Sequence, residues 1–389
     1  MAHSMNRRDW LKASALLTGS FSLTGAISTI ATPVEVASSE SFVSQRFTEE
    51  RIAREWPNLK ARLFANENPF GPSAKAKQAI TDALGLSYQY PMGAVDKLTK
   101  MIAEEESVKP EQIMLGAGSS PLLMGSGIYF GKDGGTIISG DPSYDDLPRK
   151  AEGVKAKWKK VPLTSEYKLD LDAMEKAIDS TTTLMYLCNP NNPTGTVLDA
   201  AKLKAFCERV SAKIPVFIDE AYIDYLPDPK GSSLMECVRK GQNVIVARTF
   251  SKLHGFAGLR VGYIISQEET IKKLHPYTNG GGSISATSLS GAAASYLDKE
   301  YLADALKKTT ESKEYLYKVL KQEGYEYVPS STNFVIFPLR MESERFVGEM
   351  MKRGVGVRSW KFAGKEWCRV SIGRMDEMKI FEEAFKQVS

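Results

Sequence analysis

Cysteine is scarce in this 389-residue chain, and the four present (Cys188, Cys207, Cys237 and Cys368) carry none of the C-x-x-C spacings of zinc or dithiol sites. No metal centre is therefore expected, and the thiols read as small buried hydrophobes. Charge of one sign is nearly balanced out: 51 Lys and Arg against 47 Asp and Glu leave a net +4. With no basic block and no aromatic–basic alternation, nothing points to a nucleic-acid partner. The chain has no G-x-x-x-x-G-K-[ST] loop for a nucleoside triphosphate, and after the first forty residues no repeat or low-complexity tract. What it does have is the 42% apolar and 25% charged composition of an ordinary globular protein, at a length that predicts two domains.

The first forty residues differ from the rest. MNRRDWLKASALLTGSFSLTGAISTIA has a basic start and a Ser/Thr/Gly-rich apolar stretch, followed by the small-residue region ATPVEVASS. That order is similar to a secretory leader, and Arg7–Arg8 followed by Asp-Trp-Leu-Lys resembles the twin-arginine export signal. The expectation is a leader over residues 1–37 and a periplasmic or otherwise exported protein, cytoplasmic if these residues are not a leader. The apolar stretch is too interrupted to insert stably in a membrane.

Residues 38–85 read as an N-terminal arm contributing to a small domain, ending in an amphipathic helix from about Ser73 with Ala76, Ile80 and Leu84 on one face. From residue 86 short apolar strands (QIMLGAG, GTIISGD, KAKWKKVPL, TTLMYLCN, PVFIDEAY, NVIVART, VGYIIS) alternate with helical segments. This alternation predicts an α/β fold in which a mostly parallel seven-stranded sheet, covered on both faces, forms a large domain over residues 86–290. Residues 291–389 read as a smaller α+β domain that opens with a long helical region broken once.

The segments GAGSS, GDPSY, NPNNPTG, DEAY and TFSK all fall at strand ends, where ligands gather in open parallel sheets. Each has a modest reading of its own. Asp219 in DEAY ends a buried strand and would pair with a cation, a protonated pyridine nitrogen being one such, yet taken alone the aspartate is better read as a cap for the next helix. NPNNPTG alone is a tight turn, from which Asn192 could reach a ring oxygen shared with Tyr222. GAGSS offers backbone amides at a helix start, a weak phosphate signal by itself. TFSKLHGFAGLR says more. Lys252 at a crowded strand end is placed to form a Schiff base with an aldehyde, Thr249 and Ser251 offer hydroxyls, and Arg260 can grip a phosphate bidentately. A surface lysine before a glycine-rich turn explains neither the paired hydroxyls nor the later arginine.

Taken in order, GAGS, DPSY, NPNNPTG, DEAY and TFSKLHGFAGLRVG resemble the fold-type I pyridoxal-phosphate enzymes of the class I/II aminotransferase family over roughly residues 60–385. ANENPFGPS, Tyr90–Pro91 and VARTFSK resemble its histidinol-phosphate aminotransferase branch. The resemblance implies pyridoxal 5'-phosphate held covalently by Lys252, which also shuttles the substrate proton. It implies Asp219 at the pyridine nitrogen and Asn192 and Tyr222 at the phenolic oxygen. Tyr144 would lie on the ring face, with Gly118, Ser119, Ser120, Thr249, Ser251 and Arg260 around the phosphate. Tyr90 would reach that phosphate from a second subunit of a homodimer. Arg369 would clamp the substrate carboxylate, while Arg358 and Asn68 would serve the rest of the substrate. The activity implied is transfer of an amino group from an amino acid, or a histidinol-phosphate-like amine, to a 2-oxo acid. GAGSS lacks the acidic residue of the GSDE-like run in many members, and a leader is at odds with a cytoplasmic biosynthetic role. Both favour a free amino acid or a specialised amine as donor. The alternative on the same fold is a pyridoxal-phosphate lyase or decarboxylase. A cofactor-sensing regulator is a third reading, opposed by a leader where a DNA-binding helix-turn-helix would stand.

Overall fold

The structure, a computed structural model, describes residues 58–389, all within one unit, Ser44–Ser389. The leader expected over residues 1–37 and the arm up to residue 57 lie outside the described residues. The strands are β1 (Ala61–Arg62), β2 (Ile113–Gly116), β3 (Thr136–Asp141), β4 (Lys157–Pro162), β5 (Thr182–Cys188), β6 (Val216–Asp219), β7 (Val244–Thr249), β8 (Gly262–Ile265), β9 (Phe334–Pro338), β10 (Val355–Gly356), β11 (Arg358–Phe362) and β12 (Lys365–Ser371).

Strands β2 to β8 form one seven-stranded sheet in the order β2-β8-β7-β6-β5-β3-β4, and only β8 runs against the others. Because successive side chains point to opposite faces, each central strand feeds two cores. Met185, Leu187, Val216, Ile218, Val244 and Val246 pack on one face, and Leu184, Tyr186, Phe217, Ile245 and Ala247 on the other. Both faces are apolar because both carry helices, which is why these strands read as continuous hydrophobic runs. The edge strand β4 instead exposes Lys157, Lys159 and Lys160, charges that blunt an open edge.

The second core lies around β9, β11 and β12, an antiparallel sheet in the order β11-β12-β9, with β1 paired in parallel to β10. Val335, Phe337, Phe346, Val370, Phe381 and Phe385 fill it. Ala61 and Leu63 pack here, whereas the helix Ala74–Asp82, in the same expected arm, places Ala76 in the large-sheet core. The expected boundary at residue 291 falls inside the helix Ala286–Leu297. That helix packs Leu289, Ala292, Ala293 and Tyr296 into the large-sheet core, and a Cβ on Gly291 would stand 2.6 Å from Ile80 Cγ1. The break between the two helical stretches is at Asp298, before the helix Lys299–Gln322. The helix from Ser73 is capped by that residue as its spacing implies, but Leu84 does not share its buried face. The α-helix ends at Asp82, and Leu84 sits in the following 3-10 turn, 60% exposed.

Candidate active site

The carboxyl ends of β5, β6 and β7 deliver Cys188, Asp219 and Thr249 side by side, since Cys188 pairs with Asp219 and Asp219 with Ala247 in register. Around them opens a cleft of about 370 Å³ lined by Ser119, Ser120, Tyr144, Asn192, Asp219, Tyr222, Thr249, Ser251, Lys252 and Arg260. Residues as far apart in sequence as Ser119 and Arg260 thus meet at one place.

One end of the cleft is built for an anion. Ser119 and Ser120 stand at the start of the 12-residue helix Ser120–Gly131, and because Pro121 has no amide hydrogen and the Leu122 and Leu123 amides donate to Ser119 O, what the helix start offers an anion is the amides and hydroxyls of Ser119 and Ser120. Thr249 Oγ1 donates to Ser251 Oγ at 2.9 Å, and Arg260 Nη1 donates to the same Ser251 oxygen at 3.2 Å. Two glycines permit this approach. A Cβ on Gly118 would lie 2.0 Å from Arg260 Nη2, and one on Gly262 only 2.4 Å from the Ser119 amide nitrogen.

The cleft also contains a buried carboxylate. Asp219 is 3% exposed, and burial pushes its carboxyl up to about 7, against the opposing effects of the Ala221 amide and the Lys252 charge. Its Oδ1 accepts from Ala221 N at 3.1 Å, so the local turn bond that capping would supply is present as well. Removing a carboxylate from water without a cation is costly, so this position favours a positively charged ligand atom.

The cleft also holds Lys252, whose Nζ is 5.4 Å from the Tyr222 ring centre, and Tyr144, whose hydroxyl donates to Asp146 Oδ2 at 2.6 Å. Asn192 Oδ1 accepts from Arg369 Nη1 at 2.6 Å, which turns the Asn192 amide nitrogen away from the arginine. Arg369 is fully buried. It donates a second bond to Phe64 O at 2.8 Å and lies over the rings of Trp360 and Phe334 at 4.5 and 5.1 Å. Arg358, its register partner across β11 and β12, is buried too and lies over the same Trp360 ring at 4.7 Å. Neither arginine lines the cleft itself; Arg369 reaches its wall through Asn192.

Two expected residues stand elsewhere. Asn68 commits its amide to Leu253 O at 2.7 Å and its carbonyl to Phe70 N at 3.0 Å, clamping the loop that carries Lys252. It lines a neighbouring pocket. Tyr90 is 92% exposed and away from the cleft of its own chain. Conversely, the sequence reading passed over Asp146, two residues after Tyr144, and Asn66, whose amide nitrogen donates to the Tyr222 hydroxyl at 3.0 Å. Both sit in quoted stretches or beside them, but no spacing rule marks either.

The donor set fits pyridoxal phosphate: one cleft brings together an anion cradle, a buried carboxylate suited to a cationic ring nitrogen, and a lysine. Among the described residues no cluster of His, Cys, Asp or Glu could hold a metal, and no helix is long and apolar enough to cross a membrane.

Residues 60–385 match the family described as aminotransferase class I and II. The histidinol-phosphate aminotransferase of Moorella thermoacetica is 33% identical over 329 residues, covering 84% of this chain and 85% of that protein. Histidinol-phosphate aminotransferase 2 of Carboxydothermus hydrogenoformans is 35% identical over 338 residues, 84% of this chain and 90% of that protein. The crystal structure of histidinol-phosphate aminotransferase from Sinorhizobium meliloti in complex with pyridoxal-5'-phosphate superposes with a TM-score of 0.81 at 26% identity, covering 93% of this chain and 99% of that one.

Proposed function

The chain belongs to the class I and II aminotransferases, and from that membership and the geometry of the cleft we propose how its residues divide the work of a pyridoxal-phosphate-dependent transaminase. The cofactor supplies an aldehyde that accepts the donor's amino group and a ring that takes up the electron pair released at the donor's α-carbon. Lys252 would anchor the cofactor, and its Nζ, freed when the donor takes its place, would hold and move the donor's α-proton. Asp219 keeps a proton on the ring nitrogen, the cation that its buried carboxylate calls for. Gly118, Ser119, Ser120, Thr249, Ser251 and Arg260 would hold the phosphate, and Tyr144, its hydroxyl fixed by Asp146, would face the ring. Asn192 donates from the amide nitrogen that Arg369 leaves facing the cleft, and Tyr222 donates beside it.

The donor is an amine bearing an anionic group, drawn toward Arg369 and Arg358 behind the cleft wall; an amino acid and histidinol phosphate both meet that description. The observation that carries this reading is the single cleft uniting Lys252, Asp219 and the anion cradle. The names of the relatives favour transamination over the lyase or decarboxylase chemistry the fold also supports. Borohydride reduction of the cofactor-loaded protein followed by peptide mass mapping tests it: the pyridoxyl group is expected on Lys252, and a different lysine would overturn the assignment.

Two further parts of the reading concern assembly and location. The working unit is a homodimer in which Tyr90 completes the partner's phosphate site. Supporting this, Leu84, Leu86, Tyr88, Tyr90 and Met92 form a run of exposed large hydrophobics in one short segment, the kind of patch that marks an interface. The protein is exported by the twin-arginine route, on the strength of Arg7–Arg8 and the stretch that follows, which lie outside the described residues. That route carries folded proteins, as suits an enzyme loaded with cofactor before it leaves the cytoplasm.

A further inference from the structure

Asn66 never reaches the cleft lining, yet its surroundings fix it more tightly than a linker residue needs. It is 1% exposed and holds a left-handed backbone, φ 53°, that a non-glycine residue adopts only at some cost. Its amide N donates to Ser371 Oγ at 2.8 Å, and its carbonyl accepts from Asn333 Nδ2 at 3.0 Å. The side chain is fixed as well. Ser371 Oγ donates to Asn66 Oδ1 at 2.8 Å, and Asn66 Nδ2 donates to the Tyr222 hydroxyl oxygen at 3.0 Å.

The direction of this relay follows from counting protons. The Ser371 hydroxyl has one, given to Asn66 Oδ1, while its oxygen receives the Asn66 amide. The Asn66 carboxamide is therefore held with its nitrogen toward Tyr222. The Tyr222 oxygen receives a proton from that nitrogen, and its own single proton is directed to some other acceptor. We infer that Asn66 is a positioning residue that makes the Tyr222 hydroxyl a donor into the cleft, toward the phenolic oxygen of bound pyridoxal phosphate.

This rests on the placing of Tyr222 against that oxygen given above. Burial drives the Tyr222 phenol up, while the bond from Asn66 acts against this and so strengthens Tyr222 as a donor. Ser371 ends β12, the strand that carries Arg369 two residues earlier. The relay therefore runs from the strand bearing the proposed substrate arginine to the cofactor's oxygen.

The readout is the pH midpoint at which the visible absorption band of the bound cofactor changes. A donor to the phenolic oxygen stabilises its negative charge and weakens the hold of the adjoining nitrogen on its proton, which lowers the midpoint. Asn66→Gly removes the side chain while keeping a residue at ease with positive φ. In the loaded protein the midpoint is expected to rise by about 0.3–1 pH unit in Asn66→Gly. It should rise further in Tyr222→Phe, and adding Asn66→Gly to Tyr222→Phe should change nothing more. An unmoved or lowered midpoint in Asn66→Gly overturns the inference, as does an equal shift with and without the Tyr222 hydroxyl. If Tyr222→Phe alone leaves the midpoint in place, the placing of Tyr222 fails and the inference falls with it. Should Asn66→Gly not fold, Ser371→Ala, which releases the amide's orientation, is expected to raise the midpoint in the same way, and no rise there refutes the proposal.

Discussion

At the scale of the residue, Asp219 and Arg369 make the sharpest demands, because each is a charge removed from water. The raised pKa of Asp219 has a consequence for stability with a definite sign. In the cofactor-free protein the folded state keeps the proton up to about pH 7, while the unfolded chain releases it near its ordinary value of 3.8. The stabilisation is therefore full below that ordinary value and is lost as pH rises through about 7. Asp219→Asn should flatten this part of the profile: without cofactor the variant melts higher than the parent above neutral pH, and with cofactor lower. Melting curves from pH 4 to 8 check this, and parallel profiles for the two proteins would contradict it. For Arg369, truncation to Ala removes a buried charge from the donor's anionic group and leaves Asn192 Oδ1 without its donor. Donor binding should weaken by about 2–5 kcal/mol, measured as the donor concentration that half-bleaches the cofactor band. That Lys252, Asp219, Asn192 and Arg260 meet at one cleft was legible in the sequence because each belongs to a short motif at a strand end. Asn66 was not, because what makes it matter is Ser371, 305 residues away, and Tyr222, 156 residues away. No local pattern records such a partner.

At the scale of the element, strand ends and close approaches decide the site. The central strands of the large sheet were readable from their apolar runs, since parallel strands buried on both faces read as continuous hydrophobic segments, whereas the edge strand β4 exposes Lys157, Lys159 and Lys160 and carries no such run. The limits of the second core were not readable. Near residue 290 the small residues serve the contact of the helices Ala286–Leu297 and Ala74–Asp82, where a Cβ on Gly291 would meet Ile80. Leu84 shows a related limit: periodicity continued past the point where the chain turned. The cradle makes a more specific demand. β8 runs so close to the Gly118–Ser119 loop that a Cβ at Gly262 would meet the Ser119 nitrogen and lie 2.7 Å from the Gly118 carbonyl carbon, backbone atoms that cannot rotate aside. Gly262→Ala should therefore displace the loop, costing about 1–3 kcal/mol of stability and at least roughly tenfold in cofactor affinity, the loss of about one phosphate hydrogen bond. Cofactor titration and thermal melting measure both, and unchanged affinity would remove this loop from the phosphate site.

At the scale of the whole molecule, the exposed segment Leu84–Met92 is what a single chain leaves unexplained. Leu86→Asp with Met92→Asp should convert a dimer to monomers in sedimentation, and cofactor affinity should fall with dissociation because Tyr90 is then lost from the partner's site. A monomeric parent protein, or a double variant that stays dimeric with full affinity, would contradict the assembly proposed. The account as a whole turns on Lys252. The most direct measurement is the visible spectrum of the cofactor-loaded protein, titrated with amino acids and histidinol phosphate and then with 2-oxo acids, in the parent and in Lys252→Ala. The account predicts a band in the parent that one donor bleaches and a 2-oxo acid restores, and no such band in Lys252→Ala although its fold persists. An identical band in that variant, or a parent band that no donor–acceptor pair can cycle, would contradict it.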